Sequence, residues 1–175
     1  SYDALESYIT NIINQLYNSA ELDEFINMKK VLTSALENKA MVTVKVDDPL
    51  SSDANGKKFI KTVKTVSGLM SFPSEDFNGY TQVQSVDTKP ITTFSRKDEQ
   101  ILILDTATNT GVAVDVLASL FNMSVAEFND TRKIVIDKFE NVEIDGVTHK
   151  PYGYLVDEAF FQIFDDLFTV TSFYN

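Results

Sequence analysis

Apolar positions recur along the chain in two rhythms, and the switches between them mark out its elements. Residues 4–39 contain neither Gly nor Pro, and Leu5, Tyr8, Ile9, Ile12, Leu16, Leu22, Phe25, Met28, Leu32 and Leu36 recur at helical spacing. One apolar stripe of that length predicts a helix of about nine turns. The alternative is two helices broken at Asn18-Ser19, with Asn18 and Glu21 in capping-box spacing for the second. A single helix is favoured because Ala20, Glu21 and Leu22 are all good helix formers. Over residues 41–46 the period drops to two: Val42, Val44 and Val46 share a face, and Asp47-Asp48-Pro49 ends what should be a strand.

Residues 50–56 are rich in Ser, Asp, Asn and Gly, which is loop chemistry and a crossing point between subdomains. The helical period returns in residues 57–70, where Phe59, Ile60, Val63, Val66 and Met70 face one way and Lys57, Lys58, Lys61 and Lys64 are interleaved. This predicts an amphipathic helix ending near Pro73. Residues 74–96 are polar, with short strand-like pieces at 80–83 and 91–94. Ile101-Leu102-Ile103-Leu104 is a continuous apolar run of strand length, expected to be covered on both faces. Helices are expected at 114–121 and 124–129, the second capped by Ser124 with Glu127 three residues on. A strand at 133–139, a turn at Asp145-Gly146, a strand at 152–156, a helical turn at 157–161 and one or two strands around Asp165-Asp166 complete the reading. No internal repeat or low-complexity tract interrupts it.

Composition narrows the chemistry more than the fold. At 175 residues the chain suits one domain or two small ones, and its ordinary apolar content is that of a folded protein. There is no cysteine, which removes disulfides, thiolate catalysis and Cys-based metal sites. One histidine, His149, cannot build a His metal cluster; beside Asp145-Gly146 it reads as an exposed residue or local hydrogen-bonder. No Gly-x-Ser-x-Gly, Walker A or Gly-x-Gly-x-x-Gly segment is present. No cofactor or metal is expected. The adjacent acids Asp47-Asp48, Asp157-Glu158 and Asp165-Asp166 are best explained by turns and caps, with a surface cation site at the last pair left open. No apolar run approaches the ~18 residues of a membrane span, and residues 1–6 lack the start of a signal peptide, so the chain reads as soluble. It begins with Ser1 and stops in an apolar run at 171–175, which reads as a piece of a longer protein.

Acidic residues outnumber basic ones 26 to 15, for a net charge of −11, and only Arg96 and Arg132 are arginine. Such a balance opposes a dedicated nucleic-acid binder. The four lysines at 57–64 could face nucleic acid or an acidic neighbour, or simply solvate a helix. The residues alone therefore lead to an acidic, mixed helix-and-strand domain with no catalytic constellation, in a binding or structural role.

The segment 6–25, Glu-Ser-Tyr-Ile-Thr-Asn-Ile-Ile-Asn-Gln-Leu-Tyr-Asn-Ser-Ala-Glu-Leu-Asp-Glu-Phe, followed by Val-Thr-Val-Lys-Val-Asp-Asp-Pro at 42–49, resembles the central part of the major head (major capsid) protein of phi29-like short-tailed phages. The likeness continues through Ile101-Leu102-Ile103-Leu104-Asp105, residues 115–123, and Tyr154-Leu155-Val156-Asp157 ahead of Phe160-Phe161. It departs most at 74–94 and 141–150.

The resemblance implies an α+β, Hong Kong 97-like phage capsid fold: a long spine helix, a peripheral sheet and an axial α/β domain. Residues 1–49 would be the spine helix and a peripheral strand, 50–160 the axial domain, and 161–175 the return to the peripheral domain. The implied function is not enzymatic. It is a structural subunit, of phage or prophage origin, that self-assembles as hexamers and pentamers into an icosahedral head. A scaffolding protein and a portal would be its partners, and double-stranded DNA would be enclosed without sequence-specific binding. It would reside in the virion, and in the bacterial host cytoplasm during assembly, with no membrane partner. An acidic shell suits this role, since it must enclose DNA without gripping it. Lys57, Lys58, Lys61 and Lys64 are the candidates for contact with neighbouring subunits. The alternatives are an encapsulin-like nanocompartment shell, another phage structural or interaction protein, or an enzyme whose site lies partly beyond this chain.

Overall fold

A computed structural model describes residues 22–38, 41–73, 79–80, 91–92, 94–158 and 170–174. A five-stranded mixed sheet organises them. Its strands are β1 (Met41–Lys45), β4 (Gln100–Asp105), β5 (Lys133–Ile136), β8 (Pro151–Asp157) and β9 (Val170–Tyr174), in the order β1-β9-β8-β4-β5. β1 runs parallel to β9 and β4 parallel to β5, while β8 is antiparallel to both of its neighbours. Two short antiparallel pairs stand apart: β2 (Gly79–Tyr80) with β3 (Ile91–Thr92), and β6 (Val142–Ile144) with β7 (Val147–His149).

β4 is covered on both faces, as its unbroken apolar run predicts. Ile101, Leu102, Ile103 and Leu104 are each 0% exposed. Leu102 and Leu104 join one core with Phe59, Val63, Leu117, Phe121, Phe128, Leu155 and Phe173. Ile101 and Ile103 join the other with Leu32, Leu36, Ile134, Ile136, Val142, Tyr154 and Val156. Burial of each such side chain stabilises the fold by about 1.5–3 kcal/mol. The second core is covered by α1 (Leu22–Glu37) and the β6–β7 hairpin. Residues 4–21 of the expected long helix, including the Asn18-Ser19 alternative, lie outside the described residues.

The first core is covered by α2 (Asp53–Met70), a 3₁₀ helix (Val114–Phe121) and α4 (Val125–Thr131). α2 starts inside the stretch expected to be a loop. Ser52 is its N-cap, the hydroxyl accepting from Asn55 N at 3.1 Å, and Asp53 stands in the positive first turn. Asp, Asn and Gly favour loops on average, and here the cap outweighs that preference, with Gly56 the one residue of the first turn that is buried. From Phe59 to Met70 the apolar face is buried as predicted.

Parallel β4 and β5 need a crossover, and residues 106–131 supply it. It opens with α3 (Thr106–Gly111), which periodicity did not signal: apart from Ala107 its residues are poor helix formers, held by Asp105, whose carboxylate accepts from Thr108 N at 2.9 Å. Residues 114–121, expected as a helix, form a 3₁₀ helix with the expected bounds. Its buried Val114, Leu117, Ala118 and Phe121 keep the i, i+3, i+4, i+7 spacing of one helix face, which is what made a helix legible here. Ser124 caps α4 as expected, accepting from Glu127 N at 3.1 Å. β5 stops at Ile136, short of the expected 139. Asp145 (φ 51°) and Gly146 (φ 78°) make the predicted turn, both with the positive φ that a tight type I′ hairpin demands.

Candidate functional site

Lys57, Lys58, Lys61 and Lys64 are all exposed on the outer side of α2, opposite the face that buries Phe59, Val63 and Val66. Their spacing within two turns of one helix brings them together. Lys58 Nζ lies 3.8 Å from Asp47, which follows β1; both side chains are about 70% exposed, so water screens the pair and it holds the lysine only weakly. The face therefore carries net positive charge on an otherwise acidic chain.

Beyond the lysines, α2 ends in an apolar tip. Leu69, Phe72 and Phe94 are 42%, 65% and 53% exposed, and Ser95 N donates to Met70 O at 2.7 Å, which sets Phe94 beside the end of the helix. Val116 and Val125 are also exposed, on the 3₁₀ helix and α4 over the β4–β5 half of the sheet, elements that carry exposed Asp115, Glu127 and Asp130 as well. Helical periodicity in 57–70 made the lysine face legible. The apolar tips were missed because single exposed apolar residues carry no pattern of their own.

Charged and polar groups also gather at the other end of the molecule's logic, inside it. Around the start of β4 and the end of β8, Ser67, Ser95, Gln100, Arg132, Asp157 and Glu158 are all buried. Ser67 Oγ donates to Gln100 Oε1 at 2.6 Å, while Gln100 Nε2 donates to the carbonyls of Ser67 and Ser95. Ser95 Oγ donates to Asp157 Oδ2 at 2.6 Å. Arg132 Nη1 meets Glu158 Oε2 at 2.9 Å, with the two side chains 1% and 3% exposed. This corrects the turn-and-cap reading of Asp157-Glu158. Asp157 closes β8 and Glu158 opens a 3₁₀ turn, residues 159–161 of the expected helical turn lying outside the described residues, and both acids are interior groups paired with residues distant in sequence. Glu99, at the rim, has its carboxyl pushed above the ordinary 4.5 by burial and then by the Asp157 charge, with Arg96 opposing. Burial also pulls the Lys133 ammonium below its ordinary value, with Asp115 opposing.

The remaining candidates have local roles. Asp48 serves the turn that precedes α2, its carboxylate accepting from Leu50 N at 2.9 Å and its carbonyl from Ser51 Oγ at 2.7 Å. Arg96 is exposed and pairs with Asp98 at 3.1 Å. His149 is half-buried at the end of β7, opposite Val142. Asp165 and Asp166 lie outside the described residues. Among the described residues no three His, Cys, Asp or Glu side chains are grouped to hold a metal ion, and no helix is long and apolar enough to cross a membrane. The arrangement is a sheet, locked at one end by a buried polar network, that carries separate basic and acidic surfaces.

Comparison with known proteins gives one answer along the full length. A family model described as Phi29-like phage major capsid protein matches residues 1–175. The chain is 31% identical over 179 residues to the major capsid protein of Bacillus phage PZA, covering 100% of this chain and 36% of that protein. It is 32% identical over 171 residues to the major capsid protein of Bacillus phage B103, covering 95% of this chain and 34% of that one. It is 29% identical over 170 residues to the major capsid protein of Bacillus phage GA-1, again covering 95% of this chain. The chain thus spans about a third of the length of the curated relatives it matches.

Proposed function

The chain belongs to the Phi29-like phage major capsid protein family, and we propose that it is the central part of a shell subunit that assembles into an icosahedral head around double-stranded DNA. The observation that carries this reading is the family match across all 175 residues. The role is structural and not enzymatic. In this reading the fold is of the Hong Kong 97 type. Residues 1–49 form the spine helix and a peripheral strand, 50–160 the axial domain, and 161–175 the return to the peripheral domain. The mixed helix-and-sheet architecture is in keeping with it, and the parallel pairing of β1 with β9 sets strands of the first and last segments side by side in the one sheet.

Hexamers and pentamers of the whole protein close the shell, guided by a scaffolding protein and interrupted at one vertex by a portal. The protein resides in the virion, after assembly in the host cytoplasm. Shell contacts of this kind are modest interfaces repeated by symmetry, held by buried apolar area and tuned by charge. Lys57, Lys58, Lys61 and Lys64 are the contact residues of this subunit toward its neighbours; their shared exposed face and the acidity of the rest of the chain support that assignment. Negative-stain electron microscopy of the full-length parent, co-expressed with its neighbouring open reading frames, tests the function. Closed shells are expected, and enclosed DNA rather than a cargo enzyme. Folded monomers that never close, with a scaffold present, would overturn it.

A further inference from the structure

We propose that the lysine face of α2 docks on the acidic surface formed by the 3₁₀ helix and α4 of a second copy, making a head-to-tail contact between neighbours in a ring. The inference rests on the shell reading and adds to it the identity of the opposing surface.

The argument begins with charge. This stretch carries −11 in each copy, which favours contacts where basic residues of one copy meet acidic residues of the other. Lys57, Lys58, Lys61 and Lys64 make up 4 of the chain's 15 basic residues within two turns of one helix. The acidic counterpart is the layer over β4 and β5, where Asp115, Glu127 and Asp130 are exposed and α4 packs on β5. Asp115 is close enough to Lys133 on β5 to act on its ammonium, which anchors this surface at the β5 edge. α2 reaches toward β8 and β9, where the Phe59 ring meets Phe173 at 5.6 Å, and Lys58 reaches Asp47 beyond β1. Its buried side also packs on the 3₁₀ helix, so the lysines and the acids are separate patches carried by neighbouring elements of one layer.

Shape and apolar content agree with the charges. A stable interface needs a desolvated apolar centre inside a polar rim. Leu69 and Phe94 are exposed at the end of the lysine-bearing helix, and Val116 and Val125 are exposed on the two elements that carry the acids. Each surface therefore carries an apolar pair with charge of opposite sign beside it. Because the two surfaces are different patches on one subunit, their contact is heterologous, and heterologous contacts close rings when the rotation permits.

The test uses the full-length parent protein with its scaffold, read as the threshold concentration for shell assembly by sedimentation. K58E/K61E/K64E and, separately, E127K/D130K should each raise the threshold about tenfold or more, and the combined variant should return to within about threefold of the unsubstituted protein. All these side chains are exposed, so circular dichroism melts should be unchanged; K58Q/K61Q/K64Q provides a milder variant, expected to fall between. An unchanged threshold in the single-sided variants, with shells still closing, overturns the docking and leaves the shell reading intact. Failure of the combined variant to recover also overturns it. A threshold that stays constant while encapsidated DNA falls would assign the lysines to nucleic acid instead, and that too overturns the docking. An unsubstituted protein that stays monomeric with scaffold present overturns the docking together with the shell reading.

Discussion

Replacing Glu158 by glutamine tests the buried end of the sheet. The Arg132 guanidinium and the Glu158 carboxylate meet at 2.9 Å with side chains 1% and 3% exposed, so solvent can neither screen the pair nor rehydrate a survivor. Both charges have given up their hydration in the folded state, and only their partners compensate for it. A glutamine keeps the shape and removes the charge, leaving the guanidinium buried without its counter-ion. Breaking a buried pair in this way costs about 3–5 kcal/mol. For a protein of this size each kcal/mol lowers Tm by about 2–4 °C, so a fall of about 6–20 °C is expected. Urea unfolding at pH 7, followed by circular dichroism, should show the midpoint falling by about 1 M or more with the slope unchanged. The double variant R132M/E158L removes both charges and should recover most of the loss, since apolar replacement of a whole buried pair is often neutral or better. A Glu158→Gln protein within about 1 kcal/mol of the original, or a double variant as unstable as the sum of its singles, would show that the two charges are not coupled in the interior.

Three further perturbations follow from particular contacts. Gly153→Ala would place a methyl group 3.2 Å from Leu104 Cδ2, 3.4 Å from Ile103 O and 3.5 Å from Phe59 Cζ. Overpacking of about 1–3 kcal/mol is expected, read as a lower urea midpoint; a stabilised variant would mean the α2–sheet gap is wider than described. The Asp137 carboxyl is held below the ordinary 3.8 although burial opposes this, because Lys29 donates to it at 3.0 Å and backbone amides add to the effect. A depressed carboxylate contributes stability that is present above its unfolded value and is lost as pH falls through the folded one. Lys29→Ala should therefore raise the Asp137 titration midpoint seen by NMR, and an unmoved midpoint would show that the ion pair does not hold in solution. Glu99 has the opposite sign. Its folded value is raised, so its contribution is present below about 4.5 and is lost as pH rises through the folded value. Asp157→Asn should lower the Glu99 midpoint, and no movement would separate the two carboxylates.

The elements with a local cause were legible in the residues. The face of α2 follows from apolar spacing, the two-sided burial of β4 from an unbroken apolar run, the start of α4 from Ser124, and the β6–β7 turn from Asp145-Gly146. In each case neighbours within four residues decide the conformation, through periodicity, a cap or a permitted φ. The lysine face belongs to the same class, since helical geometry alone brings residues 57, 58, 61 and 64 together.

What tertiary structure decided has distant causes. Nothing local to Met41–Lys45 says that it pairs in parallel with Val170–Tyr174, more than a hundred residues away. Asp53–Met70 opens as a helix because Ser52 caps it and the core takes its buried face, although Asp, Asn and Gly on their own favour a loop. Asp157 and Glu158 read as turn and cap residues because Asp favours those positions; Ser95 and Arg132, brought from other segments by the registers of β4 with β5 and β8, make the interior tolerable for them. Periodicity and capping are properties of a few consecutive residues. Strand partners and buried charges depend on which surfaces the whole chain removes from water, and that quantity exists only once the chain has folded.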